Sequence, residues 1–253
     1  MTALPHVMLA GAGYEYEDVP GDPGAAPLLF LHEGLGSVGL WRGFHQRLAA
    51  ATGRRAVAYS RLGHGFSSLP AHKRTASFMH DEARTVVPAL IDALDLGAPV
   101  LVGHSDGASI ALLAAAALPV RALVVLAPHV LVEDIGLQGI AAAKKAYDDG
   151  ALAARMARHH RDAEVTFRNW NDVWLDPAFT DWDLRPELTG ISCPVLGIQG
   201  DRDPYGSAVH VEAVRDAATG PMDLLMLRSG HSPHLERPGI VDATTAAFVS
   251  GLR

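Results

Sequence analysis

The chain is poor in cysteine, since Cys193 is the only one among 253 residues. An internal disulfide is therefore excluded, and we expect a reducing compartment. Cys193 stands just before a proline and an apolar run, so we interpret it as a buried structural thiol rather than a nucleophile. An excess of basic residues is also lacking, because 21 Lys and Arg face 28 Asp and Glu. This balance argues against nucleic acid or an anionic membrane surface as a partner.

Long apolar runs and targeting signals are missing as well. The longest apolar region, 108–127, is interrupted by Pro119 and Arg121, which predicts a helix followed by a strand. The segment 1–9 has neither the basic start nor the apolar centre of a signal peptide. We therefore expect a cytoplasmic protein that binds a small-molecule substrate, with no membrane and no nucleic acid partner; a homodimer is left open. The sequence has no metal-binding spacing of His and Cys, so we expect no metal.

What is present is an alternation of short apolar runs with helical patterns, typical of a parallel sheet with crossover helices. Nearly every position in these runs is apolar, as in strands covered on both faces. The predicted strands are 28–31, 56–59, 100–102, 122–126, 195–198 and 223–227, with 14–19 as an edge strand. The predicted helices between them are 41–52, 77–94, 108–117, 206–217 and 240–252.

The segment 129–188 breaks this alternation. It is rich in charged residues, contains Trp170, Trp174 and Trp182, and predicts helices over 137–148, 151–160 and 163–174. Ligands of open parallel sheets bind outside the carboxyl ends of the strands. We therefore interpret 129–188 as a helical cap on a core of residues 1–128 and 189–253; a peripheral helical excursion is the alternative.

The most informative motif is Gly103-His104-Ser105-Asp106-Gly107, between a predicted strand and a predicted helix. A G-x-S-x-G at such a turn exposes the serine hydroxyl at the top of a sheet, and the amide of the following residue faces the reacting group. The sequence therefore predicts Ser105 as a nucleophile and the Asp106 amide as one donor to an oxyanion.

A serine hydroxyl needs a base, and the base needs a carboxylate that orients it. His231 follows a glycine directly after the predicted strand 223–227, and we predict it as the base; His234 is the comparison, with a solvated or supporting role. Asp203 follows the strand 195–198 and is the predicted acid. The alternatives for the acid are Asp201 on the same loop, and Glu133 or Asp134 after strand 122–126.

A second oxyanion amide is expected from the loop His32-Glu33-Gly34-Leu35-Gly36-Ser37, which follows the strand 28–31. Glycine there allows the backbone to approach a substrate closely, although an ordinary glycine-rich turn would have the same composition. The loop lacks both the lysine of a P-loop and the spacing of a dinucleotide fingerprint.

Taken together, these motifs resemble the α/β-hydrolase superfamily, in the branch of esterases, enol-lactonases, meta-cleavage-product hydrolases and cofactor-free haloperoxidases. The motifs that carry the resemblance are the loop 32–36 with Trp41, the stretch 61–67, the elbow at Ser105, the acid loop at Asp203 and Gly230-His231. The resemblance implies an α/β-hydrolase fold, with a mostly parallel sheet flanked by helices and a helical cap after strand six.

The resemblance also implies a function. It implies a serine hydrolase that cleaves a small carboxylic ester or lactone through an acyl-enzyme and needs no cofactor, with Gly34 as the second oxyanion donor. Glu33 departs from the usual glycine at its position. His32, Glu33, Trp170 and Trp174 are the predicted substrate-binding residues, although the tryptophans would equally form a packing core.

Two other functions stay open at this point. A C–C bond hydrolase with the same three residues would need an arginine for a substrate carboxylate. The candidates are Arg155, Arg158, Arg161 and Arg168. A non-hydrolytic lyase or a binding protein on the same fold is the third interpretation.

Overall fold

A single eight-stranded sheet forms the centre of the computed structural model, which describes residues 3–252. The strand order is β1-β2-β4-β3-β5-β6-β7-β8. The β1–β2 and β2–β4 pairs are antiparallel, and all the others are parallel. The strands are β1 (His6–Leu9), β2 (Ala12–Val19), β3 (Leu28–Leu31), β4 (Ala56–Tyr59), β5 (Val100–His104), β6 (Ala122–Leu126), β7 (Val195–Gly200) and β8 (Met222–Leu227). The predicted α/β-hydrolase fold is confirmed.

The central strands are buried on both faces. Every residue of β3, β4, β5, β6 and β7 is buried, which explains why their sequences are almost continuously apolar. Alternate side chains contribute to two apolar cores, one on each side of the sheet. The predicted edge strand 14–19 lies within β2, but β1 pairs along its outer side, so β2 is not the edge. The half-exposed pattern of β1 explains why it was missed.

Helices cover both faces of this sheet. They are α1 (Phe44–Thr52), α2 (Phe78–Asp81), α3 (Val87–Ala93), α4 (Asp106–Ala117), α5 (Asp134–Asp148), α6 (Ala151–Met156), α7 (Ala163–Trp174), α8 (Val209–Ala217), α9 (Pro233–Glu236) and α10 (Pro238–Ser250). The predicted helix 41–52 begins only at Phe44, because Arg42 and Gly43 have positive φ angles of 49° and 80°. The predicted helix 77–94 is interrupted by a π-helical stretch, Glu82–Val86.

The segment predicted as a cap consists of α5, α6, α7 and two short 3₁₀ helices, Pro177–Phe179 and Arg185–Gly190. Its apolar side chains are turned inward, and Phe167 and Phe179 are fully buried. The predicted helix 151–160 ends at Met156. The division into core and cap stays a prediction, and Met1, Thr2 and Arg253 of the predicted core lie outside the described residues.

The topology brings four loops to one edge of the sheet. Because β3, β5, β7 and β8 run parallel, the segments that follow them emerge at the same edge. These segments begin at His32, Ser105, Asp201 and Arg228.

Among residues 3–252, no helix combines the length and the apolar character that crossing a bilayer requires.

The elbow depends on glycine at position 107, where a Cβ atom would overlap the carbonyl oxygens of Leu31 and His32. We expect Gly107→Ala to lower the free energy of unfolding by about 2 kcal/mol or more, because backbone atoms cannot move aside cheaply. Urea unfolding monitored by circular dichroism measures this effect. The matched control is Gly239→Ala, at the second residue of α10, where a Cβ meets nothing within 4 Å. Equal unfolding midpoints for the two variants would contradict the expectation.

Candidate active site

Ser105 occupies a sharp turn between β5 and α4. Its φ of 54° and ψ of −122° are unusual for a residue with a side chain. Its amide donates a hydrogen bond to the carbonyl of Leu126 at 2.9 Å, which fixes the turn to the neighbouring strand. Gly103 is also required, because a Cβ there would overlap the backbone of Gly107 and Ala108. The turn thus holds a strained serine at the carboxyl edge of the sheet.

Three side chains from different loops form a continuous chain of hydrogen bonds. The Ser105 hydroxyl lies 2.9 Å from His231 Nε2. His231 Nδ1 lies 2.8 Å and 2.9 Å from the two carboxylate oxygens of Asp203. With Nδ1–H donating to the carboxylate, Nε2 carries the lone pair that accepts the serine proton. The structure therefore brings together the three residues that the sequence predicts as nucleophile, base and acid.

Asp203 is held as a carboxylate by its surroundings. Its side chain is 1% exposed. Burial alone would raise the pKa of Asp203, but the hydrogen bond and charge of His231 outweigh it, aided by donors from the Tyr205 amide and Gln199, so the pKa lies below its usual range. A carboxylate that stays ionised can stabilise an imidazolium throughout the neutral pH range.

The alternative acids lie elsewhere. Asp201 and Asp134 are exposed at the surface. Glu133 accepts hydrogen bonds from the amide and hydroxyl of Ser207, at 2.9 Å and 2.8 Å, and lies 2.8 Å from His210 Nε2. It therefore braces the loop that contains Asp203.

The glycine-rich loop after β3 is fixed by donors to its carbonyl groups. The Arg61 guanidinium donates to the carbonyls of His32 and Glu33, the latter at 2.8 Å. His64 Nε2 donates to the carbonyl of Gly34 at 2.9 Å. In a trans peptide the N–H points opposite to the C=O. The amide of Gly34 therefore points away from Arg61.

Gly34 also lies beneath the cap segment. A Cβ atom at this position would overlap the indole of Trp170. Gly34 and Asp106 both line the cavity beside Ser105. Among residues 3–252, neither of these two amides donates a hydrogen bond to another residue. Both are available for a developing negative charge, as the resemblance implies.

His32, predicted to bind substrate, does not line the cavity. Its ring is fully buried, Nδ1 donates to the Glu33 carbonyl at 2.7 Å, and Nε2 accepts from the Arg61 amide at 3.0 Å. Burial lowers the pKa of His32 well below its usual range, which keeps the ring neutral. Both ring nitrogens are occupied, so the prediction is wrong for this residue, which supports the loop instead.

Asp106, directly after the serine, contacts the cap segment. Its Oδ1 accepts a hydrogen bond from Trp174 Nε1 at 3.3 Å. Burial raises the pKa of Asp106, against the opposing charges of Arg61 and Arg74. The contact connects α7 to the first residue of α4.

A cavity of about 540 Å³ opens over Ser105. Glu33, Trp170 and Trp174 line it, as predicted for substrate-binding residues. Arg155, one of the arginines named as candidates for a substrate carboxylate, also lines it. Its outer wall is mainly small or apolar, and the side chains that sequence reasoning missed include Ile140, Ala143, Leu152, His129 and Tyr205. His129 could have been predicted from its position, because it follows β6 at the carboxyl edge of the sheet. The contributions from α5 and α6 depend on how the cap segment packs.

Comparison with known proteins identifies the family of the chain. The model of the alpha/beta hydrolase family matches residues 28–244. The chain belongs to that family, as the motifs predicted.

Individual similarities are more distant. The chain is 28% identical over 249 residues to the dihydrolipoyllysine-residue acetyltransferase component of the acetoin cleaving system of Pseudomonas putida, covering 90% of this chain and 65% of that protein. It is 27% identical over 191 residues to the mouse serine hydrolase BPHL, covering 71% and 64%. The chain thus spans slightly less than two thirds of these curated relatives. The enol-lactonase structure from Burkholderia xenovorans LB400 has a TM-score of 0.76 at 19% identity, covering 97% of this chain and all of that one.

A metal site and the thiol of Cys193 are the other two reactive groups considered from the sequence. Residues 3–252 contain no group of three His, Cys, Asp or Glu side chains placed to hold a metal ion. Burial raises the pKa of Cys193 to about 11, so its thiol is protonated at neutral pH and is a poor nucleophile.

Asp203 and Asp201 offer a matched pair of substitutions on one loop. We expect Asp203→Asn to lower kcat by about 10³- to 10⁴-fold, because an amide cannot hold the productive tautomer of His231. Asp201→Asn, at an exposed position, is expected to change kcat by less than about twofold. Steady-state hydrolysis of an activated ester measures both. If Asp201→Asn lost more kcat than Asp203→Asn, the orienting acid would be Asp201 and the assignment to Asp203 would be wrong.

Proposed function

We propose that this protein hydrolyses a small carboxylic ester or lactone through an acyl-enzyme on Ser105. His231 is the proposed base and Asp203 the carboxylate that orients it. The observation that carries the proposal is the unbroken chain of hydrogen bonds from Ser105 Oγ through His231 to Asp203. A hydroxyl without such a partner is a weak nucleophile at neutral pH.

Acylation follows from the geometry. Ser105 Oγ attacks the carbonyl carbon while its proton passes to His231 Nε2, 2.9 Å away. The negative charge that develops on the carbonyl oxygen is stabilised by the amides of Gly34 and Asp106. The bond to the leaving oxygen then breaks, and His231 donates its proton to that oxygen, which becomes an alcohol.

Deacylation repeats these steps with water. His231 Nε2 takes a proton from the attacking water, and the hydroxide oxygen bonds to the acyl carbon. Ser105 leaves as the protonated hydroxyl, and the carboxylic acid is released. Asp203 remains ionised throughout, consistent with a pKa below its usual range.

The cavity favours a small, largely apolar substrate. A volume of about 540 Å³ lies within the range of small-molecule sites. Apart from Ile140, the residues that α5 contributes to the cavity lining are small: Gly139, Ala142, Ala143 and Ala146. Similarity to an enol-lactonase and to a serine hydrolase supports the ester and lactone class.

Covalent labelling tests the proposed nucleophile. A fluorophosphonate probe is expected to modify the purified protein, with mass spectrometry locating the adduct on Ser105. Hydrolysis of p-nitrophenyl acetate and butyrate, measured in parallel, is expected to fall by about 10³-fold or more in Ser105→Ala. Ser109→Ala is the control, because Ser109 is buried and bonded to the His129 carbonyl. Absence of labelling and of hydrolysis would favour a non-hydrolytic lyase or a binding protein.

One observation favours a second candidate, the hydrolysis of a C–C bond in a vinylogous diketone acid. Arg155 lines the cavity, whereas Arg161 donates to the Phe66 carbonyl and Arg168 pairs with Glu164 and Asp148. A guanidinium in the cavity wall can bind a substrate carboxylate. In this reaction water supplies the hydroxyl of the new acid and the hydrogen of the released carbon.

Two substrates separate the candidates. We expect a neutral p-nitrophenyl ester to be cleaved equally by the wild type and by Arg155→Ala, because the neutral ester needs no cation. A dienoate diketone that is turned over, with KM raised about tenfold or more in Arg155→Ala, would favour the C–C hydrolase. Arg158→Ala is the matched control, since Arg158 is exposed and does not line the cavity. No turnover of the diketone would leave ester hydrolysis as the activity.

A further inference from the structure

A second imidazole lies directly behind the proposed base. His104, the residue before Ser105, is 2% exposed, and its ring centre lies 5.1 Å from that of His231. His104 Nε2 lies 2.7 Å from the backbone carbonyl oxygen of His231. Because a carbonyl only accepts hydrogen bonds, Nε2 must carry the proton. His231 is therefore held twice, at its ring by Asp203 and at its backbone by His104.

The other ring nitrogen of His104 faces a carboxylate. His104 Nδ1 lies 3.6 Å from Glu33 Oε2. With Nε2 protonated, a neutral imidazole would turn the lone pair of Nδ1 toward the negative oxygen. The contact is attractive only when one further proton lies between the two groups. Burial would raise the pKa of Glu33, but the nearby imidazole of His104 outweighs it and lowers that pKa. At 3.6 Å the two groups are an ion-pair contact, longer than a hydrogen bond.

The loop that contains Glu33 is shaped to allow this contact. A Cβ atom at Gly36 would overlap the carboxylate of Glu33. The Gly36 amide donates to the Glu33 carbonyl at 3.0 Å, which closes a tight turn. The side chain thus folds back over a glycine and reaches His104, while the same carbonyl is held by Arg61.

Few other ionisable groups face the pair. His234, on α9, has its ring centre 4.8 Å from that of His104, and burial lowers its pKa well below the usual range. His32 and His129 lie on neighbouring elements, and burial lowers the pKa of both well below the usual range, so both stay neutral. The charge of Arg47 acts on His234 and lowers its pKa further. Glu33 is the carboxylate in contact with His104.

We propose that Glu33 and His104 are positioning residues for the proposed hydrolysis, and that together they tie the oxyanion loop to the backbone of His231. One proton lies between the two side chains and makes the link attractive. The inference rests on the proposed function, because it gives the pair a role in aligning His231 and the oxyanion loop with Ser105.

Two substitutions of Glu33 separate this role from a purely structural one. Glu33→Ala removes the link, and we expect kcat to fall by about 10- to 100-fold with little change in KM. In Glu33→Gln the amide can donate to the lone pair of neutral His104, so the link persists without the shared proton. We therefore expect this variant to recover most of the loss.

Removing a carboxylate from a buried histidine elsewhere in the fold is expected to leave kcat unchanged. Glu17→Ala is the control, because Glu17 forms a comparable pair with His45 at 2.9 Å, which does not line the cavity. Thermal unfolding of each variant checks the fold.

A measurement independent of activity completes the test. In ¹⁵N-histidine spectra the His104 signal, identified by its loss in His104→Gln, is expected to report protons on both ring nitrogens in the wild type and on Nε2 alone in Glu33→Gln. Equal losses of kcat in Glu33→Ala and Glu33→Gln, or no loss in Glu33→Ala, would overturn the inference. Absence of fluorophosphonate labelling in the wild type would instead overturn the proposed function, whereas the spectra report on the pair either way.

Discussion

The hydrogen bond between Ser105 Oγ and His231 Nε2 joins residues 126 positions apart, and most of the site's architecture serves to make that contact. It depends on parallel strands whose carboxyl ends meet at one edge of the sheet. It also depends on a serine held at positive φ, which only close packing of Gly103 and Gly107 against their neighbours permits. The strained turn is a local cost that the buried sheet beneath it offsets.

Buried polar groups surround this contact and fix its orientation. Arg61 is almost completely buried, yet its two terminal nitrogens donate to the carbonyls of His32 and Glu33. Such donors fix the loop after β3, and if this loop binds an oxyanion as proposed, its orientation is set before a substrate binds. Glu133 does the same for the loop of Asp203 through Ser207. The chemistry therefore rests on side chains that never reach the cavity.

The features that could be predicted from the sequence are those that short motifs determine. The strands, the elbow at Ser105 and the positions of Asp203 and His231 follow from apolar runs and the residues directly after them. Sequence reasoning could not predict the surroundings of His32, because these depend on how Arg61 approaches from β4. It missed β1, whose residues are half exposed, and it missed Ile140 and Leu152, because the packing of α5 and α6 over the sheet has no local signature.

The hydrogen bond from Trp174 to Asp106 has a consequence for motion. Trp174 ends α7, whereas Asp106 begins α4 and supplies one of the amides beside Ser105. A displacement of α7 away from α4 would stretch this bond and pull on Asp106 in the first turn of α4. Movement of α7 on ligand entry and the position of the Asp106 amide, the proposed oxyanion donor, are therefore coupled through the indole of Trp174.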